Sequence, residues 1–302
     1  MYPSRFHYEA PSSIEEALQL LAMYQGEAKV LSGGMSLIPL MKLRFASPSA
    51  IIDVNNIPGL DDITEAGGEL RLGALVRNRT LVRSELIGSR YPLMASVAPQ
   101  IADPLVRGRS TLVGSLCHAD PQGDWGAVML AMGGAVVARS TSGERRIPLT
   151  EFLLGPFQTT LRADEFAVAA TVPMPSGRPF GVYHKLERKI GDFATAGVAV
   201  HLELSGSSVT RAGVGLTGVG ATNLKCVDAE QALVAGGLDQ RTIEAAAGMA
   251  AAAAKPQTDH RGSAEYKRHL VRTFMVRALE AAAGREPVDI RMRRFETVAA
   301  RV

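Results

Sequence analysis

Three polar stretches carry the residue types from which an anion-holding site could be assembled. In the first, the apolar run Lys29-Val30-Leu31 ends in Ser32-Gly33-Gly34-Met35-Ser36 and passes into Leu37-Ile38-Pro39-Leu40-Met41-Lys42-Leu43-Arg44. That pattern predicts a strand, a tight loop and a helical turn. Paired glycines let backbone N–H groups approach a ligand with no Cβ in the way, and a nest of such amides binds phosphate oxygens. Ser36 can add a hydroxyl donor; an ordinary Gly-Gly turn is the alternative. The second stretch, Arg107-Gly108-Arg109-Ser110-Thr111-Leu112-Val113-Gly114-Ser115, is another glycine- and hydroxyl-bearing loop, followed by Cys117-His118-Ala119-Asp120 and Asp124. The third is Lys185-Leu186-Glu187-Arg188-Lys189-Ile190-Gly191-Asp192-Phe193.

Better-known solutions to phosphate binding are missing. No Gly-x-Gly-x-x-Gly passes from a strand into a helix with an acid about 20 residues later, and no Gly-x-x-x-x-Gly-Lys-Ser/Thr occurs. Cys117, His118 and Asp120 lack the further neighbours a metal site or a hydrolase would need, so they read as structural. No catalytic or metal-ligating residue is assigned.

The elements that must place these loops can be read in outline. Ser13 and Glu16 have capping-box spacing, and Ile14, Ala17, Leu18, Leu21 and Ala22 share one helix face up to Gly26. A strand at residues 29–31 and another at 50–54 make a small first layer. Residues 60–175 mix strands at 69–73, 135–138 and 165–172 with a helix from Thr80 to Ile87 and another over 125–132. A hairpin turns at Thr141-Ser142-Gly143. The second glycine loop falls between two helices. Pro173, Pro175, Gly177 and Pro179 mark a linker. Beyond it, strands at 181–186, 194–204 and 209–217 form a meander, and helices follow at 227–234, 240–254 and 264–283; strands then helices argue for an α+β unit.

Composition bounds the function. The chain has 302 residues, enough for about two domains. Its 33 Lys and Arg stand against 30 Asp and Glu, which gives a net charge of +3 and no basic block to suggest nucleic acid. No apolar run reaches membrane-spanning length, and the N-terminus lacks signal-peptide features. Two cysteines, Cys117 and Cys226, are too few for an iron–sulfur cluster or a disulfide scaffold, and a reducing cytoplasm is expected.

In order and spacing, the three stretches together resemble the FAD-binding medium subunits of molybdenum hydroxylases, of the carbon monoxide dehydrogenase medium-chain type within the xanthine dehydrogenase family. That family shows Ala-Gly-Gly-His-Ser-Leu-[Leu/Ile]-Pro-x-Met-Lys-x-Arg, then Gly-Thr-Ile-Gly-Gly-[Asn/Asp], then Lys-x-x-Arg-[Lys/Arg]-x-Gly-Asp-[Tyr/Phe]. The resemblance implies an α+β fold of the PCMH, vanillyl-alcohol-oxidase-like FAD type. Two N-terminal α/β subdomains, about 1–56 and 57–176, would clasp the cofactor. A C-terminal domain over 177–284, a three-stranded antiparallel sheet plus helices, would cover the ring, and 285–302 would be a basic tail with Arg291, Arg293 and Arg294.

The resemblance also implies that FAD is touched by Lys29 to Leu37, Ile101, Thr111, Gly114, Ser115, Asp124, Lys185 and Phe193. Asp124 would hydrogen-bond the cofactor, or else be a solvated loop acid. Lys185 would lie near the flavin or its phosphates, or else be an exposed strand lysine. A molybdenum cofactor and [2Fe–2S] clusters would sit in a large and a small partner subunit, in a dimer of heterotrimers, and this chain's FAD would pass electrons onward. Several positions depart from the family: Met35 replaces His, Ser110 and Val113 replace glycines, and Ser115 replaces Asn. Val113 would be strained if its position needs positive φ, leaving FAD displaced or weakly held. A self-sufficient FAD oxidoreductase of the same superfamily and a flavin-poor scaffold are the alternative readings.

Overall fold

The computed structural model describes residues 2–206 and 208–285; the predicted basic tail at Arg291, Arg293 and Arg294 lies outside them. The first sheet is parallel, with strands β1 (His7–Glu9), β2 (Ala28–Leu31) and β3 (Ala50–Asp53) in the order β1-β3-β2. Between β1 and β2 runs helix α1 (Ile14–Tyr24), whose Ser13 side chain accepts from the Glu16 amide at 3.2 Å. The Glu16 carboxylate reaches back to the Ser12 amide at 2.8 Å, one residue earlier than the spacing predicts. Ala17, Leu18 and Leu21 form its buried face. Gln25 and Gly26 both have positive φ and end the helix. Strand β1 has only three residues, too few to show a period in the sequence.

After β2 the chain makes the first glycine loop and helix α2 (Leu37–Lys42). Because β2 and β3 are parallel, with Leu31 opposite Asp53, the loops leaving both strands emerge at the same edge of the sheet.

The second layer is built on a sheet of β4 (Ile63–Ala66), β5 (Glu69–Gly73), β6 (Ala135–Ser140), β7 (Gly143–Pro148) and the later strand at Phe166–Pro173, which lies in the middle. Its pairs are antiparallel, and β6 and β7 form the predicted hairpin. Helices α3 (Asn78–Arg83), α4 (Glu85–Arg90), α5 (Pro92–Val97), α6 (Pro104–Arg107), α7 (Leu112–His118), α8 (Asp124–Ala131) and α9 (Leu149–Phe152) are threaded between these strands. The single helix expected from Thr80 to Ile87 is instead two. Ser84 is extended between them and caps α4, its hydroxyl accepting from the Ile87 amide at 3.3 Å, so Thr80 lies inside α3. A small hairpin of β8 (Leu153–Gly155) and β9 (Gln158–Thr159) precedes the central strand, β10 (Phe166–Pro173).

The third sheet is an antiparallel meander of β11 (Arg178–Glu187), β12 (Ala194–Ser205) and β13 (Ser208–Thr217), extended by the two-residue β14 (Leu224–Lys225). Helices α10 (Val227–Gly236), α11 (Gln240–Ala253) and α12 (Ala264–Ala282) pack on one face. Even-numbered residues of β12, including Val198, Val200 and Leu202, join the core beneath these helices, while Ala199 joins the core of the first two layers. One strand therefore walls two cores, as period-2 alternation allows.

Helix α8 lies on the opposite face, wholly buried and unusually close to the strands. A Cβ on Gly213 would fall 1.7 Å from the Ala131 carbonyl oxygen, and one on Gly215 would fall 1.9 Å from that of Ala127. Neither glycine has positive φ, so it is the close approach of the helix that requires them.

Candidate functional site

The two glycine loops meet. A Cβ built on Gly33 would lie 2.5 Å from the Arg109 carbonyl oxygen and 2.9 Å from Ser110 Cα. The Ser32 and Thr111 hydroxyls, 79 positions apart in the chain, are 3.3 Å from each other. Gly114 completes the junction, since a Cβ there would fall 2.6 Å from Thr111 Oγ1 and 3.1 Å from Ser32 Oγ.

In the first loop, Gly34 has φ +74°, a conformation that favours glycine. The backbone N–H groups of Gly33, Gly34, Met35, Ser36 and Leu37 have no protein acceptor among the described residues. Ser36 makes no capping bond with its side chain. Successive amides without acceptors, beside an uncommitted hydroxyl, form the donor set that a phosphate requires. Lys29 and Met35 are exposed, and Val30, Leu31, Ser32 and Gly34 are half-buried.

The second loop is held from beneath. Thr111 caps α7, accepting from the Gly114 amide at 3.0 Å. Val113, expected to be strained, sits in the first turn of this helix without positive φ. Its side chain is in the core, so the valine neither strains the loop nor fills its mouth. Ser110 accepts from Asn78 Nδ2 at 2.7 Å, and Asn78 Oδ1 accepts from Trp125 Nε1 at 2.9 Å, which ties the loop to α8.

A second polar cluster lies at the start of α8. Lys185 Nζ is 3.2 Å from Asp124 Oδ2 and 3.0 Å from Glu187 Oε2, and it donates to the carbonyls of Gln100 at 3.0 Å and Asp192 at 3.3 Å. The Tyr183 hydroxyl donates to Asp124 Oδ1 at 2.6 Å. With its side chain 1% exposed, Lys185 is no surface lysine, and Asp124, buried in the first turn of α8, is no solvated loop acid. Burial pushes the Asp124 carboxyl above its ordinary range although Lys185 pulls the other way. Burial and the neighbouring Asp124 carboxylate hold the Tyr183 phenol protonated well beyond neutral pH. Ser115 lies close to the start of α8, its hydroxyl 3.8 Å from where a Cβ on Gly123 would stand.

Ile101 is half-buried next to Gln100, and its carbonyl accepts from Arg107 Nη1 at 2.8 Å. Phe193 is 48% exposed on the loop after β11. That loop is anchored by Arg261, which donates to the Phe193 carbonyl at 2.9 Å and to the Asp192 carboxylate at 3.2 Å. Sequence reasoning missed Tyr183, Glu187, Asn55, Arg77 and Arg261. Alternation along β11 could have found the first two, since positions two before and two after Lys185 share its face. His118 packs against Phe157 with ring centroids 5.1 Å apart. Among the described residues no group of three His, Cys, Asp or Glu side chains could hold a metal ion.

Comparison with known proteins accounts for nearly the whole chain. Residues 4–175 match the family model described as the FAD binding domain in molybdopterin dehydrogenase, and residues 181–282 match the CO dehydrogenase flavoprotein C-terminal domain. The carbon monoxide dehydrogenase medium chain of Hydrogenophaga pseudoflava is 39% identical over 285 residues, covering 94% of this chain and 99% of the relative. The nicotine 6-hydroxylase medium subunit of Paenarthrobacter nicotinovorans is 36% identical over 279 residues, covering 92% and 97%. The solved carbon monoxide dehydrogenase from Hydrogenophaga pseudoflava lacking the Mo-pyranopterin moiety superimposes with a TM-score of 0.90, at 40% identity over 94% of this chain and 99% of that one.

Proposed function

Because this chain belongs to the family of FAD-binding medium subunits of molybdenum-containing hydroxylases and dehydrogenases, we propose that the joined glycine loops and the Asp124–Lys185 cluster are its FAD site. The chain is an oxidoreductase subunit that carries FAD and has the α+β fold of the carbon monoxide dehydrogenase medium chain. When bound, FAD supplies the electron-carrying chemistry that joins a partner's redox centres to an outside acceptor. The chain's own residues bind and orient it. Lys29 to Leu37, with Thr111, Gly114 and Ser115, would hold the diphosphate, while Ile101, Asp124, Lys185 and Phe193 would bound the remainder. Lys185, locked by four oxygen partners, is fixed in place, and the Asp124 and Glu187 carboxylates beside it offset its charge, so its part is to hold this end of the site rigid.

Our reading divides the chain into a FAD-binding region over 1–176, with subdomains about 1–56 and 57–176, and a C-terminal region over 177–284. It places substrate hydroxylation in a large molybdenum subunit and the [2Fe–2S] clusters in a small one, joined with this chain in a dimer of heterotrimers in the cytoplasm. Relatives named as medium chain or medium subunit support a multi-subunit assembly. Among the described residues no helix is long and apolar enough to cross a membrane.

The observation that carries the proposal is the close approach of Gly33 to the Arg109 backbone beside a row of amides lacking protein acceptors among the described residues. The test is to purify the chain with its neighbouring subunits and measure flavin per polypeptide, metal content and turnover of the single chain. One non-covalent FAD per chain is expected, with no substrate oxidation by this polypeptide alone. A colourless protein, or substrate turnover by the isolated chain, would refute the assignment.

A further inference from the structure

We infer that Asn55 and Arg77 are positioning residues for the cofactor diphosphate, acting together to hold two loop carbonyls away from the amide face. The inference rests on the FAD reading above and deepens it. Where the loops meet, the carbonyl oxygens of Ser32 and Arg109 are the groups that would repel an anion. Asn55 Nδ2 donates to the Ser32 carbonyl at 2.9 Å, and Arg77 Nη1 donates to the Arg109 carbonyl at 2.5 Å. The two donors are themselves joined, since Arg77 Nη2 donates to Asn55 Oδ1.

A trans peptide is planar, so a Ser32 carbonyl held toward Asn55 turns the Gly33 N–H the opposite way. That N–H begins the row of amides without protein acceptors among the described residues. A carbonyl free to swing at this junction would set its negative end against a phosphate oxygen, whereas a tethered one leaves only N–H dipoles there.

The topology makes the arrangement available. Ser32 and Asn55 leave parallel neighbouring strands at one edge, so the Asn55 side chain reaches the Ser32 carbonyl without crossing the sheet. Asn55 is fixed in turn, its backbone N–H donating to Asp53 Oδ1 at 3.0 Å while the Tyr8 hydroxyl donates to Asp53 Oδ2 at 2.7 Å. Arg77 comes from the second layer, where it forms an antiparallel bridge with Thr111. The pair therefore links the two layers directly behind the loops, and neither residue needs to touch the cofactor.

The test uses the full chain purified with its partner subunits and stripped of flavin. The unsubstituted protein, Asn55→Ala, Arg77→Met and the double variant are titrated with FAD by fluorescence quenching, and the melting midpoint of each flavin-free protein is recorded. Asn55→Ala removes the donor to the Ser32 carbonyl and adds no carboxylate beside Asp53 or the diphosphate. Each single variant is expected to raise the FAD dissociation constant about tenfold or more. The double variant is expected to be no worse than the weaker-binding single, because the two act as one unit. A merely structural role would lower the flavin-free midpoint and leave the affinity of the folded protein alone. Should Arg77→Met not fold, Asn55→Ala decides by itself. Affinity within about twofold in the variants, with the unsubstituted protein binding FAD, overturns this inference alone. An unsubstituted protein that takes up no FAD overturns it together with the reading beneath it.

Discussion

Replacing Gly33 by alanine tests the loop junction at its tightest point. The new methyl would stand 2.5 Å from the Arg109 carbonyl oxygen and 2.9 Å from Ser110 Cα. Both are backbone atoms, so no side chain can turn aside, and the loops must part by about 0.9 Å to reach ordinary contact at 3.4 Å. A hydrogen bond of about 2.9 Å stretched by that amount is no longer one. A phosphate gripped from both loops then keeps the donors of only one. Losing one or two charge-assisted bonds of about 1.5–3 kcal/mol each corresponds to a dissociation constant for FAD raised at least tenfold. Overpacking should also cost about 1–3 kcal/mol of flavin-free stability. Gly88→Ala, on α4, is the control: a Cβ there meets nothing within 4 Å and leaves the loops together. FAD titration of the flavin-stripped complex, with a melting curve for each form, separates the two effects. If Gly33→Ala bound FAD within about threefold of the unsubstituted chain, the argument that both loops grip the diphosphate would be wrong.

Other perturbations probe the surroundings. Lys185→Met leaves Asp124 and Glu187 without their shared cation and should destabilise the fold by about 3–5 kcal/mol in urea denaturation, with partial recovery when Asp124→Asn is added. Gly215→Ala drives a methyl to 1.9 Å from the Ala127 carbonyl and should cost about 3 kcal/mol or more, seen as a lower melting midpoint. Burial pushes the His201 imidazole down to about 4 from 6.5. Between those values the unfolded chain holds a proton that the folded chain does not. Stability is therefore whole above pH 6.5 and falls by about 3 kcal/mol as the pH drops to 4, and His201→Gln should flatten this part of the profile. Burial pushes Glu203 up, but hydrogen bonds from Ser176 and the Arg211 charge outweigh it and hold the carboxyl at about 2. Its contribution is present above pH 4.5 and is lost as the pH falls toward 2, which Glu203→Gln should abolish in acid-unfolding curves.

Local signals were enough for the parts of the fold with long periods or caps. The helix capped by Ser13, the meander from β11 to β13 and the three C-terminal helices all follow from spacing and alternation. Strands of two or three residues, β1 and β14, are created by pairing and have no pattern of their own. The break at Ser84 was hidden because Thr80 and Ser84 can both cap a helix, and the structure uses the second. At the site, both glycine loops were visible as motifs, but their contact was not, since it joins Ser32 to a residue 79 positions away. Val113 misled for a related reason. Read as loop, it looked strained, and only the helical start at Leu112 shows that its side chain turns inward. Asn55 carried no sequence signal of this contact because its acceptor belongs to the neighbouring parallel strand's loop.

The glycines of β13 bear on how this polypeptide could ever be divided. Helix α8 presents its carbonyl oxygens to Gly213 and Gly215 and begins with the acid that meets Lys185 of β11. A fragment cut in the Pro173–Pro179 segment would strip that helix of the floor it rests on and leave Asp124 with no countercharge. The placing of Asp124, which we propose bounds one end of the cofactor, thus depends on strands encoded after the linker, and neither half can be swapped between relatives unless α8 and its glycine bed travel together.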